Sequence, residues 1–192
     1  MGNREDLLAG AEECLYEKGY ARTTARDIAS RSGVSLAGIG YHFGSKEELL
    51  KQALREALEK WGNAVGAIMT SDFPTDRMAD RFAAIWQKVI ESFQRSAKLW
   101  AVQFELLAVL EREPDLRMSF AEDTRQARIA LADMFGVITE DDEEAVKIGA
   151  LYQALLAGLA AQYLGDPESV PSGADLLEAV RLIAHDLMPP RD

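Results

Sequence analysis

Cysteine and histidine are scarce in this sequence, which has one cysteine and two histidines among 192 residues. The lone cysteine, Cys14, cannot form a disulfide within the chain, which favours a reducing compartment. His42 and His185 are far apart in sequence, and neither has a second ligand-type residue at metal spacing, so we expect no zinc or di-iron site. Because nucleophile–base motifs and glycine-rich phosphate loops are also absent, the sequence argues against an enzyme and indicates no cofactor.

Targeting signals are the second absence. Arg4 and Glu5 lead straight into a charged amphipathic segment, without the basic start and apolar core of a secretory signal, so we expect a cytoplasmic protein. The longest uncharged run, 148–165, is as long as the shortest membrane-spanning helices. It contains Gln153 and Gln162 within acidic surroundings, so we predict a helix buried in a core or a subunit interface and no membrane partner.

Helical periodicity is present almost everywhere. Apolar residues recur three and four positions apart, and no stretch sustains the alternation of a strand, which predicts an all-α protein. With 192 residues, of which 48% are apolar, the chain can bury a sizeable core without the help of disulfides or structural metal ions. Beyond residue 62, we predict a loop from Thr70 to Asp76. Helical patterns then run over about 77–96, 98–112, 116–135, 141–164 and 174–188.

Capping signals divide the first sixty residues into four helices. Asn3 is predicted to cap the first helix, and Gly19 to end it. A capping box from Thr24 to Asp27 opens a short second helix, which must stop near Gly33. Ser35 is predicted to cap a third helix through about residue 42. Another capping box, at 45–48, opens a long fourth helix to about residue 61.

The second and third helices have the spacing of a helix-turn-helix, whose second helix enters the major groove of DNA. Residues 18–46 contain five cations and one anion, a local balance of +4 in a chain whose net charge is −11. Taken alone, such a face is more typical of a solvated surface than of a binding site. Because these cations coincide with the spacing of a helix-turn-helix, we predict that Arg26 and Lys46 contact DNA phosphates.

The third helix is predicted to pack through Val34, Ile39 and Phe43. It has no Arg, Lys, Asn or Gln between Ser35 and His42, so sequence readout depends on apolar contacts and DNA deformability. Because short helical corners also occur in interaction modules, a helical protein–protein adaptor without DNA binding is the alternative. The residues predicted to face outward, toward the groove, are Ser35, Leu36, Ala37, Gly38, Tyr41 and His42.

Three segments of this region resemble the DNA-binding domain of tetracycline-repressor (TetR) family regulators. They are YARTTARDIA (20–29), GVS (33–35) and YHFGSKEELL (41–50), with the caps, the turn glycine and the phenylalanine before the fourth helix in register. The resemblance covers about residues 3–60. It implies an all-helical homodimer, a palindromic double-stranded operator and a C-terminal domain that binds an effector.

The resemblance also implies roles for single residues. Thr24 matches the threonine that caps the second helix and contacts phosphate. Tyr41 and His42 match an aromatic and polar pair near the end of the recognition helix, and Lys46 matches a lysine that opens the fourth helix. Gly40 departs from the pattern, since many members have tyrosine there. With Gly38 it places two glycines in a short helix. The pair permits either a close approach of the helix backbone to the groove floor or a weak helix that is merely tolerated.

Aromatic residues are concentrated in the C-terminal part, at helical spacing. Such stripes are typical of a plain core, but they also line effector cavities in helical bundles. We therefore predict an unidentified small apolar or amphipathic effector, without excluding the core interpretation. The candidate lining residues are Phe82, Trp86, Phe93, Trp100, Gln103, Phe104, Arg128 and Tyr152.

The last two helices suit a two-fold interface. Small residues form a narrow stripe on one of them, and the other has an apolar face, so two copies would build a four-helix bundle. The alternative is the core of a monomer. The candidate interface residues are Ala150, Ala154, Gly158, Ala161, Leu176, Val180 and Ile183.

These patterns together predict a ligand-responsive, DNA-binding transcriptional regulator, a repressor in particular. We expect residues 1–60 to form the helix-turn-helix domain and residues 61–192 to form the effector-binding and dimerisation domain. A small-molecule-binding helical protein that does not bind DNA is the competing interpretation for the C-terminal part.

Overall fold

A computed structural model describes residues 2–71, 78–110, 114–136, 139 and 141–187, without the side chains of 68–71, 109–110 and 114–123. All regular structure in these ranges is helical, with a short 3-10 turn at Pro167–Ser169, so the all-α prediction is confirmed. The helices are α1 (Asn3–Lys18), α2 (Ala25–Ser32), α3 (Leu36–Phe43), α4 (Lys46–Ser71), α5 (Met78–Leu110), α6 (Pro114–Met134), α7 (Asp142–Gly165) and α8 (Gly173–Leu187).

Two of the predicted N-terminal caps need correction, although the start of α3 directly after Ser35 is as predicted. The residue before α1 is Gly2, so Asn3 is the first helical residue rather than its cap. Ser35 stands before α3, but its side chain makes no capping hydrogen bond. The amide that such a cap would satisfy, that of Gly38, instead donates to the backbone carbonyl of Ser35 at 2.9 Å.

The other local signals hold. Asp27 N donates to the Thr24 hydroxyl at 3.2 Å, which confirms the cap of α2. Gly19 ends α1 with φ +80°, and Gly33 follows α2 in the left-handed region with φ +71°. The amide of Glu48 donates to the Ser45 hydroxyl at 3.1 Å, as expected at the start of α4.

Helix α5 corrects the prediction of two helices at 77–96 and 98–112. It is a single 33-residue helix, about 50 Å long at the standard rise per residue. Neither glycine nor proline stands near Ala97, so nothing in the backbone chemistry interrupts the hydrogen-bond ladder there. Helix α4 likewise continues to Ser71, past its predicted end and into the predicted loop, whose remaining residues lie outside the described ranges.

Packing divides the chain into two compact units. The first comprises Met1–Asn63 and Lys98–Arg117, and the second comprises Ala64–Ala97 and Met118–Asp192. Both α4 and α5 therefore contribute residues to each unit. The sequence did not predict this division. The functional boundary at residue 60 stays a prediction.

The core of the first unit gathers apolar residues from α1 to α5. Helices α1 and α2 approach closely at Gly10, where a Cβ would lie 3.0 Å from the backbone nitrogen of Ser32. Burial of the apolar side chains in this core stabilises the folded state by about 25 cal/mol per Å² of apolar surface removed from water. The most deeply buried members are Leu7, Ala11, Cys14, Leu15, Ile28, Leu49, Leu50, Ala53 and Leu106.

The second unit also depends on two close helix approaches. A Cβ at Gly149 of α7 would clash with the backbone carbonyl of Arg128 on α6. A Cβ at Gly173, the first residue of α8, would clash with the carbonyl of Ala83 on α5. Glycine permits both contacts because it has no side chain. The buried apolar residues of this unit are Val65, Ile85, Trp86, Val89, Phe93, Ala132, Phe135, Ala145, Leu156, Leu159 and Ala160.

Candidate nucleic-acid interface

Helices α2 and α3 form a short corner on α1. At the start of α2, Thr24 and Asp27 bond reciprocally: Asp27 Oδ2 accepts from the Thr24 amide at 2.9 Å and from its hydroxyl at 2.7 Å. Lys18 Nζ lies 2.6 Å from Asp27 Oδ1. These donors, the Lys18 ammonium first, hold the pKa of the Asp27 carboxyl well below its usual range. The start of α2 is thus locally rigid and anchored to the end of α1.

Helix α3 presents an outward face of mixed chemistry. Ile39 is buried at 4% exposure and anchors the helix, whereas Leu36 is 49% and Tyr41 is 85% exposed. Ala37 is also exposed, as is Ser35 just before the helix. His42 is half-buried and meets the Tyr41 ring edge-on, with centroids 4.9 Å apart. An aromatic ring this exposed has its face available to a partner.

Gly38 and Gly40 lie in opposite surroundings. A Cβ on Gly38 would lie 2.7 Å from Val34 Cγ1 and 3.8 Å from Leu7 Cδ1, whereas one on Gly40 would meet nothing within 4 Å. Gly38 therefore belongs to the packed face, and the prediction that it faces outward is wrong. The physical reason is that α3 rests on Leu7 of α1, a contact between residues far apart in the chain. Gly40 opens toward solvent.

Several cations of the predicted basic face already have partners. Arg31 lies 3.1 Å from Glu13 on α1 and also pairs with Glu17, while Lys18 pairs with Asp27. The count over residues 18–46 missed the acidic residues of α1, so the basic face is weaker than predicted. Within the described ranges, Arg26 is exposed and makes no ion pair.

Lys46 opens α4 and is tied to the protein. Its Nζ donates to the backbone carbonyl of Thr23 at 3.2 Å and lies 3.3 Å from Glu47 Oε1. An ammonium group has three N–H donors, so these contacts do not exhaust its capacity. Lys46 thereby connects the start of α4 to the residue that precedes Thr24.

Glu105 of α5 is a functional residue of this unit that no sequence pattern indicated. Its Oε2 accepts from the Tyr20 amide at 2.8 Å, and its Oε1 accepts from the Ala21 amide at 2.9 Å. The partners are 85 and 84 positions away in sequence, so no local pattern could have revealed them. A carboxylate from α5 thus holds the turn between α1 and α2.

The predicted effector-site residues divide between the units. In the second unit, Phe82, Trp86 and Tyr152 come together with Phe135, whose ring stacks on Tyr152 at 4.0 Å. Burial raises the pKa of the Tyr152 phenol. The buried Trp86 Nε1 has no hydrogen-bond partner among the described residues. We name these four rings the aromatic cluster.

The other predicted lining residues have separate surroundings. In the second unit, Phe93 meets Tyr163 with centroids 5.7 Å apart, and Arg128 Nε donates to Gln153 Oε1 at 2.9 Å. Trp100, Gln103 and Phe104 belong instead to the first unit by packing. There Trp100 meets Trp61 edge-on at 5.1 Å. Within the described part of the chain, no group of three or more His, Cys, Asp or Glu residues could hold a metal.

The predicted interface residues lie on open helix faces. On α7, Ala154, Gly158 and Ala161 are exposed and Ala150 is half-buried. On α8, Val180 and Ile183 are exposed, Leu176 is half-buried, and every residue from 178 to 187 is exposed. These two helices therefore leave apolar surface uncovered in the single chain.

Helix α7 is long and apolar enough to cross a membrane by length and composition alone. Its most apolar window has a mean hydropathy of 1.2, with 28% of that window buried. One such helix is weak evidence for a membrane span, because helices of soluble proteins pass the same test. The largely open face favours the interface alternative over the core alternative for residues 148–165.

Residues 7–53 match the family described as bacterial regulatory proteins, tetR family. This segment runs from α1 into α4 and contains the whole corner of α2 and α3.

Individual proteins show the same likeness. The chain is 26% identical over 183 residues to the HTH-type transcriptional repressor Rv1474c of Mycobacterium tuberculosis, covering 91% of this chain and 90% of that protein. It is 29% identical over 87 residues to the repressor KstR2 of Mycolicibacterium smegmatis, covering 45% of this chain and only 42% of KstR2. A solved structure, described as the transcriptional regulator SCO7518 of Streptomyces coelicolor A3(2), superposes with a TM-score of 0.62 at 28% identity, covering 94% and 97% of the two chains.

Proposed function

Because residues 7–53 match the tetR family of bacterial regulatory proteins and a repressor is similar over most of the chain, we propose that this protein is a cytoplasmic, sequence-specific DNA-binding repressor rather than an enzyme. It acts as a homodimer on a palindromic operator, and a small effector releases it. The observation that carries the DNA-binding role is the outward face of α3, where Leu36 and Tyr41 are exposed while Ile39 anchors the helix. A helix held in this way can enter a major groove.

Two kinds of contact to DNA are proposed. Arg26 and Thr24, at the start of α2, meet phosphate oxygens, which position the protein without reading sequence. For this contact the Thr24 hydroxyl, which donates to Asp27 in the free protein, turns its single hydrogen to the phosphate. Lys46 adds a third phosphate contact with the donors that Thr23 does not use. On α3, Leu36 and Ala37 contact thymine methyl groups, while Ser35, Tyr41 and His42 reach polar edges or the backbone.

Two arginines of α2 give a matched test. Arg26 is exposed, whereas Arg31 pairs with Glu13 and Glu17. With an operator selected from genomic fragments, Arg26→Ala is expected to weaken binding to all DNA sequences alike. It should also reduce the slope of log K against log salt by about one, because one phosphate contact is lost. The measurement is fluorescence anisotropy over a range of salt concentrations.

Arg31→Ala is the control, since its guanidinium is already neutralised by α1. It is expected to leave the salt slope unchanged. Equal slopes for both variants, or a change of base preference in Arg26→Ala, would show that Arg26 has no phosphate role. Failure of the unaltered protein to retain any genomic fragment would favour the adaptor alternative.

The effector site is proposed at the aromatic cluster of the second unit. Its rings offer an apolar surface, and the buried Trp86 Nε1 is a donor without a partner in the described structure. A small apolar or amphipathic molecule with one acceptor atom would satisfy that donor. Binding would be followed by tryptophan fluorescence. A compound that binds there without weakening operator binding is not the effector, because linkage requires a reciprocal effect.

A further inference from the structure

The turn between α1 and α2 is held by an acidic side chain from a distant helix. Both carboxylate oxygens of Glu105 are occupied, one by the Tyr20 amide at 2.8 Å and the other by the Ala21 amide at 2.9 Å. Hydrogen bonds to an ionised acceptor are stronger than neutral ones. Glu105 and the turn belong to the same compact unit.

The same turn is tied to α1 and α4. The buried Thr23 hydroxyl donates to the Gly19 carbonyl at 2.6 Å and to the Cys14 carbonyl at 3.2 Å. The Thr23 carbonyl accepts from Lys46 Nζ at 3.2 Å. Since the next residue, Thr24, caps α2, these contacts and those of Glu105 together set where α2 begins.

The approach of Glu105 requires glycine at the end of α1. A Cβ on Gly19 would clash with the carboxylate of Glu105, and the positive φ of this residue also disfavours a side chain. The Glu105 carboxylate can therefore approach the α1–α2 turn only because residue 19 is a glycine with a positive φ.

We propose that Glu105 is a positioning residue for DNA binding. Its carboxylate holds the amides of Tyr20 and Ala21, and so keeps the start of α2 where Thr24 and Arg26 meet the phosphate backbone. Glu105 itself touches no DNA. This inference rests on the proposed DNA-binding function.

Two substitutions separate geometry from charge. Glu105→Gln keeps the length of the side chain, but its NH₂ group faces one of the two N–H donors, so one amide loses its acceptor. Glu105→Asp keeps the charge but shortens the side chain by one methylene, which withdraws both oxygens. A positioning role predicts that both variants bind operator more weakly.

Operator affinity is measured by fluorescence anisotropy, and exchange of the Tyr20 and Ala21 amides by hydrogen–deuterium exchange. Both Glu105 variants are expected to weaken operator binding at least about fivefold and to speed exchange of these amides. Their salt slopes should fall toward that of Arg26→Ala, because the phosphate contacts at the start of α2 are the ones that are displaced. Glu59→Gln, an equal charge change at an exposed site of the same unit, should alter affinity less than about twofold.

The sign of the effect decides the interpretation. Removing a negative charge from a DNA-binding unit strengthens binding through electrostatics, so a loss in Glu105→Gln cannot come from charge alone. Glu105→Asp serves as the second variant if Glu105→Gln loses its helical circular dichroism. Affinity within twofold of the unaltered protein in the folded variants would overturn the role of Glu105. Failure of the unaltered protein to bind any selected DNA would instead overturn the proposed function, and this inference with it.

Discussion

At the residue scale, the two glycines of α3 differ in what a side chain would meet. Gly40 faces open space, while a Cβ on Gly38 would press against Val34 at 2.7 Å. Glycine is a poor helix former at both positions, by about 0.8–1.0 kcal/mol relative to alanine. Their surroundings therefore decide whether replacement stabilises the protein.

Gly40→Ala is expected to raise the free energy of unfolding by up to about 1 kcal/mol, because alanine improves helix propensity without a clash. Gly38→Ala should show a smaller increase or a decrease, since Val34 must move. The free energies come from urea denaturation followed by circular dichroism.

A double substitution tests the cause of this difference. In a Val34→Ala background, Gly38→Ala should recover the propensity gain, because the opposing Cγ1 is gone. Equal effects of the two glycine substitutions in the unaltered background would contradict the packed position of Gly38.

At the element scale, the continuity of α5 matters most. One helix supplies Phe82 and Trp86 to the aromatic cluster and Glu105 to the α1–α2 turn. The sequence suggested a break near Ala97, which would have made two helices of this segment. Instead, a single helix contributes residues to both units.

Proline at Lys98 distinguishes one helix from two. Lys98 is exposed, so its side chain contributes little to the core. In a continuous helix, Lys98→Pro removes a backbone hydrogen bond and crowds the preceding turn, which costs about 3 kcal/mol or more. Lys98→Ala is the control and should cost almost nothing. If urea denaturation shows a loss below about 1 kcal/mol for the proline variant, the helix is interrupted there.

At the scale of the whole molecule, the open faces of α7 and α8 support the proposed homodimer. Apolar side chains such as Leu151, Val180 and Ile183 are exposed in the single chain. Covering them with a second copy would remove this surface from water and link two recognition helices. Binding to a palindromic operator requires that link.

Gly158→Arg is expected to convert dimers into monomers. A Cβ at Gly158 meets nothing within 4 Å, so arginine fits the single chain, but in a close helix contact it would bury an unpaired charge. Operator affinity should fall with dimerisation, since half-sites about 34–36 Å apart need two linked helices. The measurement is sedimentation velocity.

Gly62→Arg is the matched control, because a Cβ at Gly62 of α4 also meets nothing within 4 Å. It should remain dimeric. A Gly158→Arg variant that sediments as a dimer would remove the centre of α7 from the interface.

The sequence by itself determined what depends on near neighbours. The cap of α2 joins Thr24 and Asp27, three residues apart, and Gly33 ends that helix through its own backbone freedom. Helical periodicity likewise predicted the all-α class. The three segments at 20–29, 33–35 and 41–50 lie within residues 7–53, the part of the chain that matches the family of bacterial regulatory proteins, tetR family. Such features are readable because each is decided within about one helical turn.

Only the tertiary structure decided which distant residues meet. Arg31 belongs to the acidic face of α1 through Glu13, 18 positions away, although the local charge count assigned it to a basic face. Gly38 packs toward Leu7, and Glu105 reaches Tyr20 across 85 positions. These contacts arise when separate helices pack against one another. A helical pattern specifies which residues share a face, but it does not specify which neighbour that face will meet.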